Sequence, residues 1–236
     1  MEPQHIRAKR GDIAKRVVIS GDPARVVQLA GLLKKGRLVN ENRGFLTYTG
    51  EYDGKSVTVG CHGIGGPSVA IVVEELVMLG ARAIVRLGSC GGLLKPMRVG
   101  DMVIVTNAGY KGGTLDQYFN RQITTGPDRT LTGLLKDSAK KHGARFYAGP
   151  VFSSDAFYAE DLDFATVSAK KGYIGIEMEC ATLFGLGKLR KVRTASLLMV
   201  SDNITESAPI VDAETLREYT ANAGKITFEG LNMLQV

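Results

Sequence analysis

The chain has 236 residues, of which 44% are hydrophobic and 23% are charged, and these proportions are typical of a globular protein. No apolar run reaches the roughly 18 residues that a membrane-spanning helix needs, and the charged N-terminus lacks the apolar core of a signal peptide. The formal net charge is +6, but no basic stripe is interleaved with aromatic residues, so nucleic acid is not an expected partner. We expect a cytoplasmic protein with no membrane partner.

The three cysteines, Cys61, Cys90 and Cys180, lie far apart in the sequence. No CxxC pair is present, which argues against a zinc site, and an odd number of cysteines argues against a secreted disulfide framework. The three histidines show no HxxxH or HExxH spacing, so a bound metal is not expected. The cysteine pattern therefore predicts a reduced, intracellular protein.

The first part of the chain alternates β-rich runs with helical patterns. Arg16–Ser20 is predicted as a strand, and a GDP turn leads into the helix ARVVQLAGLL, whose first turn accommodates Pro23. The runs FLTYTG and SVTVGCH form a predicted hairpin around the strong turn signal Asp53-Gly54. A second helix follows at PSVAIVVEELVMLG and is expected to end at Gly80.

The rest of the chain continues this alternation. Strands are predicted at AIVRLGS, DMVIVT and TASLLMVSD, and helices at LTGLLKDSAKKHG and DAETLREYTANAGKITFEGLNML. Residues 109–128 are rich in turn residues and are expected to form a long loop. The basic runs LLKKGR, DSAKKHG and GKLRKVR are interpreted as solvated helix ends. The pattern predicts an α/β fold, with residues 1–236 forming a single domain around a mixed central β-sheet flanked by helices.

Small or polar residues follow several of the predicted strands. Ligands of α/β folds bind beyond the carboxyl ends of the strands. The positions concerned are residues 20–22, 62–63, 88–89, 153–155 and 201–202. Each group alone is more typical of a turn, but together they predict a single crevice.

Common nucleotide-binding and hydrolase motifs are not found. The stretch HGIGGPS resembles a dinucleotide-binding loop, but Ser68 stands at the third glycine and no acidic residue ends the following strand. The sequence also lacks the GxxxxGK[ST] pattern of a P-loop and the GxSxG elbow of an α/β-hydrolase. A Rossmann cofactor, a nucleoside triphosphate and a serine-hydrolase triad are therefore not expected.

Three arginines, Arg25, Arg43 and Arg86, differ from the surface lysines in their positions. Arg25 follows a strand end, Arg43 precedes a strand, and Arg86 lies inside an otherwise apolar strand. A buried arginine requires a partner, which is either an internal carboxylate or a bound oxyanion such as phosphate. Ser89 and the neighbouring backbone N–H groups can add hydrogen bonds to such an anion.

Three carboxylates occupy unusual places. Asp202 lies at the mouth of an apolar strand, where it is either a turn residue or a general acid with a raised pKa. Glu177 and Glu179 lie in the apolar segment GYIGIEMECATLF, and buried carboxylates need partners. We interpret Glu177 as a structural residue, salt-bridged inside the protein, and Glu179 as a residue of the site.

Seven motifs occur in order over nearly the whole chain: GDPAR, NENRGF, HGIGGPS, VRLGSCGG, SSDAFYAED, IEMECATLF and VSDN. In this combination the chain resembles the purine nucleoside phosphorylase/uridine phosphorylase family, in its hexameric branch. It is most similar to archaeal members that act on 5′-methylthioadenosine and purine nucleosides. The resemblance implies a nucleoside phosphorylase-like fold and a pentosyltransferase of purine salvage, which converts a nucleoside and phosphate into a free base and ribose 1-phosphate.

The resemblance also implies roles for individual residues. The implied phosphate ligands are Gly21, Arg25, Arg43, Arg86 and Ser89. The implied ribose contacts are His5, Ile64, Met178 and Glu179. The implied neighbours of the base are Cys90, Gly91, Phe157 and Asp202. Asp202 is the implied proton donor to purine N7, and Arg217 is the candidate that assists it, although the segment before Arg217 is two residues longer than in bacterial relatives.

The same resemblance implies the partners. Phosphate is the co-substrate, and no metal or organic cofactor is needed. The implied assembly is a homohexamer, a trimer of dimers, in which His5 and Arg43 complete the site of the neighbouring subunit.

Three alternatives remain open. A uridine phosphorylase reads its base with a Gln-x-Arg pair, which SSDAFYAEDLDF lacks. A nucleosidase that acts on 5′-methylthioadenosine or S-adenosylhomocysteine uses water, and the three arginines would then have no evident function. A non-catalytic sensor of purine nucleosides would share the pocket but would not need every catalytic group.

Overall fold

The computed structural model describes residues 2–159, 161–206 and 209–236. Its strands are β1 (Arg16–Ser20), β2 (Lys34–Asn40), β3 (Thr47–Tyr52), β4 (Lys55–Cys61), β5 (Ala83–Gly92), β6 (Met102–Tyr110), β7 (Phe146–Ser153), β8 (Gly175–Glu177) and β9 (Arg193–Asn203). Its α-helices are α1 (Pro23–Ala30), α2 (Gly66–Met78), α3 (Thr114–Phe119), α4 (Arg129–Lys141), α5 (Leu162–Lys170), α6 (Cys180–Arg190) and α7 (Ala213–Met233).

The strands form one mixed sheet in the order β2-β3-β4-β1-β5-β8-β7-β6-β9. β1 lies parallel to both β4 and β5, while β2, β3 and β4 are antiparallel to one another. β5 also pairs in parallel with β9 along its length and in an antiparallel sense with β8 at its last two residues. Because β5 pairs with both β8 and β9, part of the sheet closes into a ring of five strands, β5, β8, β7, β6 and β9. β5 also pairs with β1 and so joins this ring to the other four strands.

Helices cover the two faces of the sheet. On one face α2 and α6 pack together around Val72, Leu76 and Leu183, all of which are fully buried. On the other face α1, α4 and α7 bury Leu29 and Leu135 among a second group of apolar side chains. Burial of this kind contributes about 25 cal/mol per Å² of apolar surface and fixes the helices against the strands. The predicted fold class is confirmed.

The predicted hairpin and helix boundaries are largely confirmed. Asp53 and Gly54 connect β3 to β4 with φ values of 47° and 74°, as a tight turn requires. Pro23 occupies the first turn of α1, and Asp22 caps this helix by accepting a hydrogen bond from the N–H of Ala24.

Two expectations about the chain are wrong. Residues 109–128 are not one long loop, because β6 continues to Tyr110, α3 follows, and Thr125 pairs with Ala108. Leu115 of α3 is 1% exposed and packs into the apolar core, and this burial holds the helix in place. The basic run LLKKGR is not a helix end, because α1 stops at Ala30 and the lysines lie on the exposed edge strand β2.

The other two basic runs do lie at the ends of helices, in the last turns of α4 and α6. All three cysteines are buried free thiols. Within the described ranges, no helix combines the length and the apolar character needed to span a bilayer.

Candidate active site

A cavity of about 730 Å³ opens where β1, β4, β5 and β9 end. Eleven of the fourteen site residues that the resemblance implies line it: Gly21, Arg25, Ile64, Arg86, Ser89, Cys90, Gly91, Phe157, Met178, Glu179 and Asp202. Glu177 lines it as well. Of the five groups expected at a single crevice, four contribute to this cavity, and residues 153–155, at the end of β7, do not. The chain returns to the same edge of the sheet at the ends of β1, β4, β5 and β9.

Arg25 places a buried cation in the wall of the cavity. It lies in the first turn of α1, and its Nη1 is 3.3 Å from the hydroxyl of Ser20 at the end of β1. Burial lowers the pKa of Arg25, the charge of the nearby Asp22 offsets part of this effect, and the charge of Arg86 adds to it. In the described part of the chain no carboxylate lies within ion-pair distance of Arg25. A buried guanidinium of this kind favours a bound anion.

Arg86 lies in the middle of β5 and lines the same cavity. Its guanidinium pairs with the carboxylate of Glu179, and Nη1 lies 3.4 Å from Glu177 Oε2. Although burial alone lowers the pKa of Arg86, the two carboxylates raise it above its ordinary value. The two interpretations of Arg86 are therefore compatible, since it has internal partners and also borders the cavity.

Glu179 lies at the N-terminal end of α6 and extends its carboxylate into the cavity. The N–H of Gly65 donates to its Oε1 at 2.7 Å. Burial raises the pKa of Glu179, but the charge of Arg86 and this backbone hydrogen bond outweigh burial and lower it. Glu179 is therefore ionised at neutral pH and can accept hydrogen bonds from hydroxyl groups.

Asp202 also lines the cavity, near the end of β9. Its Oδ1 accepts a hydrogen bond from the hydroxyl of Ser201 at 2.7 Å. Burial raises the pKa of Asp202, and the hydrogen bond from Ser201 offsets only part of that effect. A carboxyl group with a raised pKa is suited to holding and donating a proton.

The pairing of β5 with β9 sets the position of Asp202. The register runs evenly up to the pair Cys90 and Val200, and then Gly91 pairs with Asp202, so that Ser201 is an extra residue in β9. A side chain at position 91 would collide with Ile204, because an added Cβ would lie 2.5 Å from its Cδ1, and would also lie 3.3 Å from Asp202 Oδ2. The glycine therefore leaves room for both Ile204 and the acid.

Gly21 is required where the first and fourth strands end. A Cβ at this position would lie 2.7 Å from the carbonyl oxygen of Gly63, which is too close for any side chain. The two strand ends can therefore approach each other only with glycine at position 21.

Exposed apolar side chains surround the opening of the cavity. Ile64 is 75% exposed, Phe157 is 48% exposed, and Ile210 is 57% exposed. Sequence reasoning found Ile64 and Phe157 but missed Tyr158, Ile204 and Ile210, which also line the cavity. Their only signal is apolar character in a turn-rich segment, and that signal becomes meaningful once the fold groups the residues in space.

Three of the predicted site residues do not line this cavity. The ring of His5 is held by Glu75, whose Oε1 lies 2.8 Å from its Nδ1. Arg43 is exposed and has a left-handed backbone with φ of 56°. Arg217 faces solvent on α7, and only its carbonyl group makes a contact here, accepting from Gln28 Nε2 at 2.8 Å. Because α7 begins at Ala213, Arg217 lies one turn into this helix, where it is exposed and does not line the cavity with Asp202.

His62, which the sequence placed among the residues expected at the crevice, does not line the cavity, although the next residue, Gly63, does. The side chain of His62 is fully buried, and neither ring nitrogen has a hydrogen-bond partner in the described residues. Burial lowers the pKa of His62 to about 3, with Arg86 and Arg25 contributing and Glu179 opposing. The ring is therefore neutral at physiological pH.

Across residues 2–159, 161–206 and 209–236, no group of three or more His, Cys, Asp or Glu side chains is arranged to hold a metal ion. A family model described as the phosphorylase superfamily matches residues 15–230. The chain belongs to the phosphorylase superfamily. The resemblance that the seven motifs indicated is confirmed at this level, and with it the expectation of an enzyme of the nucleoside phosphorylase type.

Several curated relatives cover most of this phosphorylase. The guanosine phosphorylase of Halorubrum lacusprofundi is 35% identical over 200 residues, which cover 85% of this chain and 83% of that protein. The uridine phosphorylase of Treponema pallidum is 35% identical over 98% of this chain and 93% of its own length. A DeoD-type purine nucleoside phosphorylase of Clostridium novyi is 36% identical over 95% of this chain and 94% of its own length. These relatives carry names with different substrates, so the substrate of this phosphorylase has to be argued from the cavity.

Proposed function

We propose that residues 1–236 form one nucleoside phosphorylase domain that cleaves purine nucleosides, 5′-methylthioadenosine among them, to the free base and ribose 1-phosphate or its 5-methylthio analogue. The observation that carries this proposal is the set of groups that line one cavity. Two buried arginines and an ionised glutamate that pairs with one of them line it, together with Asp202, which has a raised pKa and pairs with Gly91, five residues beyond Arg86 along β5. Phosphate, ribose and purine require a cationic, a hydroxyl-binding and an acidic group in this combination.

At the phosphate end, Arg25 and Arg86 bind the dianion together with the hydroxyl of Ser89 and the backbone at Gly21. The missing carboxylate partner of Arg25 supports this assignment, because the anion supplies the counter-charge. Bound there, phosphate lies below C1′, where it is both the nucleophile and the stabiliser of the positive charge that develops on the ribose. The contribution of the arginines is positioning and electrostatics.

In the middle of the cavity, Glu179 accepts hydrogen bonds from the 2′ and 3′ hydroxyls, while Met178 and Ile64 pack against the sugar. At the far end, Phe157 packs on the base, and the backbone of Cys90 and Gly91 borders it. Asp202 donates its proton to N7 as the C1′–N9 bond breaks, so that the base leaves as a neutral molecule. Acid assistance of this kind is worth about 10² to 10⁴ in rate. Phosphate is the only co-substrate in this scheme.

The site is completed by a second copy of the chain in a homohexamer built as a trimer of dimers. Support comes from His5 and Arg43, which lie outside the cavity of their own chain. In the proposed dimer, Arg43 adds a third positive charge to the phosphate, and His5 approaches the ribose 5′ end of the neighbouring site. Arg217 remains a candidate for assisting Asp202 only if α7 rearranges when the nucleoside binds.

The test is the release of base from 5′-methylthioadenosine, adenosine, inosine, guanosine and uridine, each with and without phosphate. We expect phosphate-dependent release from the purine nucleosides. Release without phosphate would identify a nucleosidase instead, and tight binding without turnover would identify a sensor.

A uridine phosphorylase is the second candidate, because the relative from Treponema pallidum that carries this name matches 98% of the chain. The acid at Asp202 favours a purine, since N7 protonation has no counterpart in uracil. Phosphate-dependent release from uridine alone would decide for this candidate.

A further inference from the structure

The N-terminus of α6 is capped by residues outside the helix. Glu179 is the N-cap residue, but its side chain makes no capping hydrogen bond. Its carboxylate instead faces the cavity, where it contacts Gly65 and Arg86. Helix N-termini leave unpaired N–H groups that need acceptors, so another group has to take over this task.

Glu177, at the end of β8, supplies most of these acceptors. Its Oε2 accepts from the N–H of Glu179 at 2.8 Å and from the N–H of Cys180 at 2.9 Å. The hydroxyl of Ser153, at the end of β7, accepts from the N–H of Ala181 at 2.9 Å and donates to Glu177 Oε1. Two side chains therefore bind three successive N–H groups at the start of α6.

The carboxylate of Glu177 is enclosed by protein. The side chain is 1% exposed, and all of its hydrogen bonds go to neighbouring groups of the chain. It also lies 3.4 Å from Arg86 Nη1, so it touches both partners of the Arg86–Glu179 pair. Glu177 forms part of the cavity wall, but both of its oxygens are engaged by protein groups, so it acts on a ligand chiefly through the residues that it holds.

We propose that Glu177 and Ser153 are positioning residues. Because they cap α6, the carboxylate of Glu179 is free to face the cavity, and they hold Glu179 and Arg86 in place for the sugar and the phosphate. This inference rests on the proposed role of Glu179 at the ribose hydroxyls. In this arrangement the affinity for the nucleoside depends on a carboxylate whose oxygens are engaged by the protein itself.

The test is a double-mutant cycle with Glu177→Gln, Glu179→Gln and the double variant. The amide at position 177 keeps one acceptor oxygen but loses the charge and the paired contacts. We expect kcat/KM for adenosine to fall about tenfold or more, with a larger change in the KM for adenosine than in the KM for phosphate. In the Glu179→Gln background, Glu177→Gln should lower kcat/KM less than about threefold, because the carboxylate that Glu177 positions is already absent.

Asp128→Asn is the matched control. Asp128 caps α4 by accepting from the N–H of Leu131 at 2.8 Å, and it does not line the cavity. Its loss should lower the melting temperature and leave both KM values unchanged. The proposal is overturned if the losses in kcat/KM of the two single variants multiply in the double variant. It is also overturned if Glu177→Gln, like Asp128→Asn, lowers the melting temperature and leaves both KM values unchanged.

Ser153→Ala serves as a second variant if Glu177→Gln does not fold. It removes one hydroxyl and should give a smaller change in the same direction, again suppressed in the Glu179→Gln background. Adenosine affinity measured by calorimetry gives a readout that does not require turnover. If the unmodified enzyme cleaves no nucleoside, the proposed function fails, while an adenosine affinity that depends on Glu177 only when Glu179 is present still supports the positioning role.

Discussion

Burial and a hydroxyl donor act in opposite directions on Asp202. Burial disfavours the charged carboxylate, whereas the hydrogen bond from Ser201 favours it. Because burial has the larger effect, a greater fraction of Asp202 is protonated near neutral pH than for an aspartate in water. The importance of that proton depends on the leaving group.

Asp202→Asn should therefore reduce activity selectively. We expect a loss of about 10² to 10⁴ in kcat on adenosine and inosine, whose bases need a proton to leave. On 7-methylguanosine, whose base already carries the positive charge at N7, the loss should be less than about tenfold. Asp137→Asn, at an exposed position of α4, is the control. Equal losses on all three nucleosides would contradict the general-acid role.

His62 predicts a pH dependence of stability. Its pKa of about 3 in the folded chain lies below the ordinary value of 6.5, so the unfolded chain binds a proton first as the pH falls. The stability associated with the neutral ring is complete above about pH 6.5 and is lost progressively toward pH 3. Between pH 7 and pH 5 this amounts to about 2 kcal/mol.

The measurement is urea unfolding at pH 7 and pH 5 of the unmodified chain and of His62→Leu, which has no proton to bind. Other titrating groups contribute equally to both proteins, so the difference between them isolates His62. The variant should lose about 2 kcal/mol less than the unmodified chain on acidification. The same loss in both proteins would show that the ring finds a polar partner.

At the scale of elements, α2 holds the N-terminal segment through one carboxylate. Glu75 is 6% exposed and accepts hydrogen bonds from the N–H groups of Gln4, His5 and Ile6, at distances from 2.6 to 3.0 Å. Burial opposes its ionisation, but these bonds and the ring of His5 outweigh burial and lower the pKa of Glu75. The attachment is therefore present at neutral pH and is lost as the pH falls below about 4.5.

Glu75→Gln should detach this segment. Loss of the charge removes one acceptor and weakens the others, and we expect amide hydrogen exchange at residues 4–6 to accelerate at least about tenfold. Hydrogen-exchange mass spectrometry of the N-terminal peptide measures this change. Glu74→Gln is the matched control, because Glu74 is the neighbour of Glu75 on α2 but pairs with Arg190 at the surface. Equal exchange in the two variants would contradict the prediction.

Elements with strong local signals could be predicted, and those that depend on distant partners could not. The apolar run of β9 and the Asp53-Gly54 turn are set by their own residues. β2 was missed because its Lys-Lys-Gly-Arg sequence has no strand character, and it forms only because β3 offers an edge. β8 has three residues, too few for a periodicity, yet it carries Glu177. The same limit applies to the site, where Tyr158 and Ile210 become neighbours of Asp202 only in three dimensions.

At the scale of the whole molecule, the proposed exchange of Arg43 between subunits can be tested by complementation. Arg43→Ala removes a group from the neighbour's site, whereas Asp202→Asn disables the chain's own site. In a dimer that contains one of each, one site has both defects and the other has none. Co-expression of the two variants with random pairing should restore roughly a quarter of the unmodified activity.

The control is the same mixture prepared from separately purified proteins and assayed before subunits exchange, which should show only the sum of the two residual activities. If Arg43 served its own chain, every site in the co-expressed mixture would carry one defect, and no activity would return. Recovery therefore distinguishes exchange between subunits from a role within one chain.

The extra residue in β9 decides which side chain faces Gly91. Side chains alternate between the faces of a strand, so a shift of one position moves a side chain to the other face. In an unbroken register Ser201 would pair with Gly91, and Asp202 would pair with Gly92 on the opposite face. Deleting Ser201 would bring Asp202 directly after Val200 and leave it opposite Gly91 in a regular ladder, so loss of this residue removes a hydrogen-bond donor to the acid without moving the acid to the other face.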